Sequence, residues 1–253
     1  ACREALDREI VRARFEGGDA EGDALLAAAC EILVGQRWPE RSFAHSGQTG
    51  EWHRSHGEQR ALAWMRTRGM RGFRTGISDL AFERILIALA YLIDLAASDA
   101  VWEMATVLMD KMLVLLAINT YRGMLGMPRL WTSTRSVLGG YMSATSGIGK
   151  LMWGTGIYNQ YIRGFVSLAY LGEYELPVMI QRIATEEPAV GMVSRELHAP
   201  AEDEGVRTVA YKTPDFMLAS IQDYHPGEPG DREHCWQATL GPGATIFTTH
   251  PAS

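Results

Sequence analysis

Apolar positions recur at helical spacing through the first three quarters of the chain and at alternating spacing after Pro188. Residues 1–16 and 19–34 read as a helix pair split by Gly17 and Gly18, and in the second helix Leu25, Leu26, Ala29, Ile32 and Leu33 share one face. A connection rich in Gly, Pro and Ser leads to a helix over about 53–68, then to a glycine-punctuated loop over 69–78. Ser78 or Asp79 caps the next helix, which runs to about residue 97, and Ser98 or Asp99 caps another that runs to about residue 119. The stretch 121–140 is a long loop, a helix or helix pair spans about 145–170, and a short helix covers 175–185. Beyond Pro188 the residues turn β-branched and aromatic. Two to four antiparallel strands are expected from about Val206, with Gly241-Pro242-Gly243 as a hairpin turn.

Alternating helices and loops with antiparallel neighbours pack most naturally as stacked helical hairpins. The predicted fold is mainly α: an incomplete (α/α) toroid over residues 1–188, followed over 189–253 by the first strands of an antiparallel β-sandwich. No residue-level repeat points to a solenoid. A few strands do not make a stable sandwich alone, and the chain begins without Met and ends just past an apparent strand. The expectation is therefore a piece of a longer protein.

Composition narrows the partners. The 253 residues are 47% apolar and 21% charged, ordinary for a globular chain, and the net charge of −6 argues against nucleic acid. Cys2, Cys30 and Cys235 show neither disulfide nor zinc spacing. The most apolar helices carry Asp94, Glu103, Asp110 and Lys111, so no membrane span is expected. Residues 1–16 lack the apolar segment of a secretion signal.

Candidate chemistry concentrates in the glycine- and tyrosine-rich stretch 139–164. If it is helical, Tyr158 and Tyr161 share a face at i, i+3, while Asn159 and Arg163 share the adjacent one at i, i+4. A uronate lyase needs such a set: an amide or guanidinium to neutralise the sugar carboxylate, and a phenol or imidazole to move protons. His53 and His56 lie three residues apart near a helix start, as a base or as carboxylate partners. Trp153, Tyr121, Arg122, Trp131 and Arg135 are candidates for sugar stacking and carboxylate pairing. Asp79 and Glu83 open a core helix together. They offer either a hydrolase carboxyl pair or, more simply, a cap and a dipole partner. The run TSGIGK lacks the flanking residues of a phosphate loop. His225, His234 and Cys235 could hold a structural metal but match no standard spacing, and no cofactor is predicted.

Three segments carry a resemblance: FAHSGQTGEWHRSHGEQRALAWMRTRGMRGF, SDLAFERILIALAYLIDLA, and YKTPDFMLASIQDYHPGEPGDREHCWQATLGPGATIFTTHP. Together they resemble a poorly characterised bacterial and fungal family whose architecture is similar to heparinase- and alginate-lyase-like enzymes. The likeness covers most of 35–253 and departs at 76–83, where that family has a Trp and an aromatic pair around a Ser-containing loop. It implies the toroid-plus-sandwich architecture and a polysaccharide or oligosaccharide partner. The expected function is β-elimination on a uronate-containing glycan, with Tyr158, Tyr161 and His53 as acid/base groups and Asn159 and Arg163 as neutralisers. A glycoside hydrolase using Asp79 and Glu83, or a non-catalytic carbohydrate-binding module, is the alternative.

Overall fold

The computed structural model describes residues 20–73, 78–129, 137–201, 204–222 and 232–251. The protein mixes helix and sheet. Among the described residues its helices are α1 (Ala20–Arg37), α2 (Gly50–Arg71), α3 (Asp79–Leu95), α4 (Asp99–Ile118), α5 (Ser146–Trp153), α6 (Ile162–Ala169) and α7 (Val178–Thr185). Between α4 and α5 sits a miniature hairpin of β1 (Thr120–Tyr121) and β2 (Met124–Leu125). Five further strands follow among the described residues: β3 (Met192–Ala201), β4 (Glu204–Lys212), β5 (Met217–Gln222), β6 (Arg232–Gly241) and β7 (Ala244–Pro251).

Helix α3 is the hub because it is apolar nearly all round. Phe82, Ile85, Leu86, Leu89 and Leu92 are fully buried, and such a helix is stable only inside a shell of others. Each of those side chains contributes about 1.5–3 kcal/mol by leaving water. Ser78 caps α3 by accepting the Ala81 N–H, as its sequence position predicts. Ser98 occupies the equivalent place before α4 without a side-chain capping bond.

Polar ties fix the helix directions. Arg84 meets Asp23 at 3.0 Å near the starts of α1 and α3, and Gln36 meets the Leu95 carbonyl and Ala97 N–H, both at 2.9 Å, near their ends. These two helices therefore run in the same direction. Helix α2 returns antiparallel to α1, with Gly57 against Ala28 and Ile32 and Gly35 against Gly50 and Arg54. Lys111 of α4 donates to the last carbonyls of α2, at Arg68 (3.1 Å) and Gly69 (2.6 Å). The result is two helical hairpins lying side by side.

The sheet is an antiparallel meander in the order β3-β4-β5-β6-β7, one strand earlier and larger than the sequence pattern suggests. Strand β3 escaped the pattern because Arg195, Glu196 and Pro200 interrupt its alternation. The inner face sets Ala210, Met217 and Ala219 into the same core as the helices. On the outer face Val193, Tyr211, Leu218, Ala238 and Ile246 pair in register across all five strands, and all but Ala238 are exposed. No helix among the described residues is long and apolar enough to cross a membrane.

Candidate functional site

The seam between α1 and α2 carries a dense polar cluster. Small residues make it possible: a Cβ on Gly35 would run into the backbone of Gly50 and Arg54, so glycine there lets the two backbones nearly touch. That approach brings Glu31, fully buried in the apolar face of α1, against the first two turns of α2. His53 Nδ1 lies 2.9 Å and His56 Nδ1 2.8 Å from Glu31 Oε1, and Arg60 donates to Oε2 at 3.1 Å. A carboxylate only accepts, so both imidazole Nδ1 atoms carry the proton in these bonds. In the neutral His53 ring, Nε2 then holds a lone pair, and it faces Ser46 Oγ at 2.7 Å.

The sequence offers His53 and His56 as a base or as partners of a substrate carboxylate, roles that need access to solvent. The structure corrects this for His53, which is 1% exposed and edged by the rings of Phe43 and Trp52. His56 is half-buried and stacks on Trp52, with ring centroids 4.6 Å apart. Glu31 and Ser46 were missed. Their only signals are a lone acid in the otherwise apolar run 24–35 and a serine next to His45 ahead of the helix start.

The stretch 139–164 is organised by its own backbone. Residues 154–161 are irregular and α6 begins only at Ile162, so the helical faces predicted for Tyr158, Asn159 and Tyr161 do not form. Asn159 is consumed internally. Its amide donates to the carbonyls of Tyr141 (2.7 Å) and Ser143 (2.8 Å), and its oxygen accepts from the Tyr161 N–H (2.9 Å). Trp153 is buried in the core rather than lining a groove. The glycines also face inward: a Cβ on Gly164 would meet the Glu83 side chain, and one on Gly147 the Phe165 ring.

Three members of the predicted set keep access to water. Tyr158 is 54% exposed, its ring resting on Phe165 at 4.7 Å. Tyr161 is half-buried at the entry to α6, and Arg163 is exposed two residues on. The Arg163 guanidinium stands 3.6 Å from Glu83 Oε2, while Glu83 Oε1 accepts the Gly164 N–H at 2.9 Å. Burial pushes the Glu83 carboxyl above its ordinary range, against the opposing pull of that N–H and of Arg163. Asp79 is buried too, accepting the Ala144 N–H at 3.1 Å. Both acids anchor the 139–164 segment to the start of α3, which corrects their reading as a sugar-facing hydrolase pair or as simple helix-end charges.

The remaining candidates are structural or lie elsewhere. Tyr121 is buried, and its hydroxyl donates to the Pro214 carbonyl at 2.8 Å. Arg122 donates to the same oxygen at 2.8 Å, so this pair ties the small hairpin to the β4–β5 turn. Trp131, Arg135 and His225 fall outside the described residues. Beneath the sheet, Lys212 donates to the carbonyls of Thr120 (2.9 Å) and Ala117 (3.4 Å), and burial pulls its pKa down to about 8. His234 is fully buried there, and burial, reinforced by Arg129, pulls its pKa down to about 3. Among the described residues no group of three or more His, Cys, Asp or Glu side chains is placed to hold a metal ion. Comparison with family models, with curated proteins and with solved structures finds no match.

Proposed function

We propose that the protein acts on an acidic polysaccharide, cleaving a uronate-containing chain by β-elimination within an (α/α) toroid followed by a β-sandwich. Two features of the fold support the architecture. The α1/α2 and α3/α4 hairpins lie side by side with like helices parallel, as successive hairpins of a toroid do. The exposed apolar row across the sheet is the kind of surface that a second sheet covers in a sandwich.

The observation that carries the activity is that Tyr158, Tyr161 and Arg163, two phenols and a guanidinium close in sequence, keep access to solvent. Arg163 pairs with the uronate carboxylate and so acidifies the proton on the adjacent carbon. One tyrosine removes that proton and a tyrosine returns one to the departing glycosidic oxygen. A Glu83 that holds its proton more readily than an ordinary carboxylate leaves the guanidinium freer for the substrate. Asn159 and His53 drop out of the substrate-touching set because their polar atoms are already committed.

The test is incubation with a panel of uronate polymers, following the ultraviolet absorbance of the unsaturated sugar. Arg163→Ala is expected to lower kcat/KM by about a hundredfold or more, and Tyr158→Phe or Tyr161→Phe to lower kcat. New reducing ends without that absorbance would mean hydrolysis. Glycan binding without any product would mean a binding module.

A further inference from the structure

We propose that Ser46 is an activated nucleophile and that the line Ser46–His53–Glu31 hydrolyses carboxylic esters, an activity separate from the glycan reading and using none of its residues. The geometry is that of a hydroxyl–imidazole–carboxylate relay: 2.7 Å from Ser46 Oγ to His53 Nε2, then 2.9 Å from His53 Nδ1 to Glu31 Oε1. Glu31 locks the tautomer. Because Nδ1–H is spent on the carboxylate, Nε2 is the atom left to accept the serine proton. The carboxylate is itself held from its other oxygen by Arg60, so the imidazole cannot swing without breaking a buried network.

Access is arranged in the right sense. Glu31 and His53 are sealed from solvent, whereas Ser46 is half-buried in a turn whose neighbours His45, Gly47 and Gln48 are exposed. Gly47 adopts φ 68°, which lets the chain double back between Phe43 and Gln48 and present the hydroxyl to His53. The Gln48 N–H donates to Ser46 Oγ at 3.2 Å, and the hydroxyl has two acceptors in reach, His53 Nε2 at 2.7 Å and the Phe43 carbonyl at the longer 3.5 Å. The backbone N–H groups of Ala44, His45 and Ser46 have no hydrogen-bond partner among the described residues. They are the donors available to a developing oxyanion.

The chemistry balances with water as the only co-reactant. Ser46 Oγ attacks the ester carbonyl carbon as its proton passes to His53 Nε2. That proton then goes to the departing alkoxide, releasing the alcohol and leaving an acyl-serine. Water attacks the acyl carbon, giving its proton to His53, which returns one to Ser46 Oγ as the carboxylic acid leaves. Ser46 and His53 are the catalytic residues and Glu31 is a positioning residue.

The experiment uses the full chain with a fluorophosphonate probe and p-nitrophenyl acetate. Peptide mass spectrometry is expected to find the probe on Ser46, and ester hydrolysis is expected to fall by about a hundredfold or more in Ser46→Ala. Glu31→Gln is expected to lower kcat while leaving KM unchanged, a split that a purely structural role would not produce. Should Glu31→Gln fail to fold, Ser46→Cys carries the test. Its thiol should react with iodoacetamide at mildly acidic pH about tenfold faster than Cys30 or Cys235, because His53 takes its proton. An unlabelled Ser46, hydrolysis unchanged in Ser46→Ala and an ordinary thiol in Ser46→Cys would overturn the proposal and leave the serine as a latch on the turn. Uronate cleavage is expected to survive Ser46→Ala, so failure of either activity is read independently of the other.

Discussion

Between α1 and α2, charge is buried among partners: Glu31 is held by His53, His56 and Arg60 at 2.8–3.1 Å. Beneath the sheet, Lys212 is buried on backbone carbonyls, and the His234 imidazole is buried beside the Trp236 backbone and the Arg129 cation. The two regions meet the same cost of removing ionisable groups from water, and they meet it differently. In the seam the ionisable groups are hydrogen-bonded to one another. The sheet interface favours the neutral forms, which pulls both pKa values down. A reactive proton relay belongs to the first kind of place, and a pH-dependent weakness to the second.

The largest test of that contrast is acid. His234 titrates ordinarily at 6.5 when unfolded and near 3 in the fold, so the unfolded chain takes a proton that the native ring refuses. Stability is full above pH 6.5 and falls as pH drops towards 3, by about 5 kcal/mol in all. His234→Phe should remove this component, as read from urea denaturation at neutral and acid pH; an unchanged pH slope in the variant would sink it.

The same linkage acts on Lys212 at the other end of the scale. Its folded pKa of about 8 lies below the ordinary 10.5, so stability should climb as pH rises between those values, by about 3 kcal/mol. Lys212→Met should lose that climb. A constant difference between variant and wild type from pH 7 to about 11 would contradict the burial argument.

A smaller effect is expected at the seam. Gly35→Ala pushes a methyl group into the backbone of Gly50 and Arg54 and should cost about 2 kcal/mol. It should also slow any fluorophosphonate reaction at Ser46, because separating the helices draws Glu31 away from His53. Full labelling in a destabilised Gly35→Ala would detach the relay from the helix contact.

Much of the fold was legible because periodicity reports burial. The helix 79–97 was readable from an apolar run behind Ser78, and it forms as Asp79–Leu95 on that cap. The hairpin at Gly241-Pro242-Gly243 was equally plain, joining strands that pair Gly241 with Ala244. The candidate site was less legible. Asn159 and Trp153 look functional as residue types, yet one ties down the Tyr141 and Ser143 carbonyls and the other fills core. A polar side chain in a glycine-rich segment has two possible customers, a ligand or the bare backbone nearby, and composition does not say which.

What the chain determined by itself is local: where helices start and stop, which faces are apolar, and that the last quarter alternates as sheet. Those outcomes depend on residues within a few positions of one another, through caps, turns and the spacing of apolar side chains. Only the tertiary structure decided that Glu31 meets a histidine 22 residues away, which in turn meets Ser46. It also decided that Glu83 anchors Gly164 across 81 residues. Such pairings follow from how closely two helices approach and which of their turns come level, quantities set by the packing of the whole core.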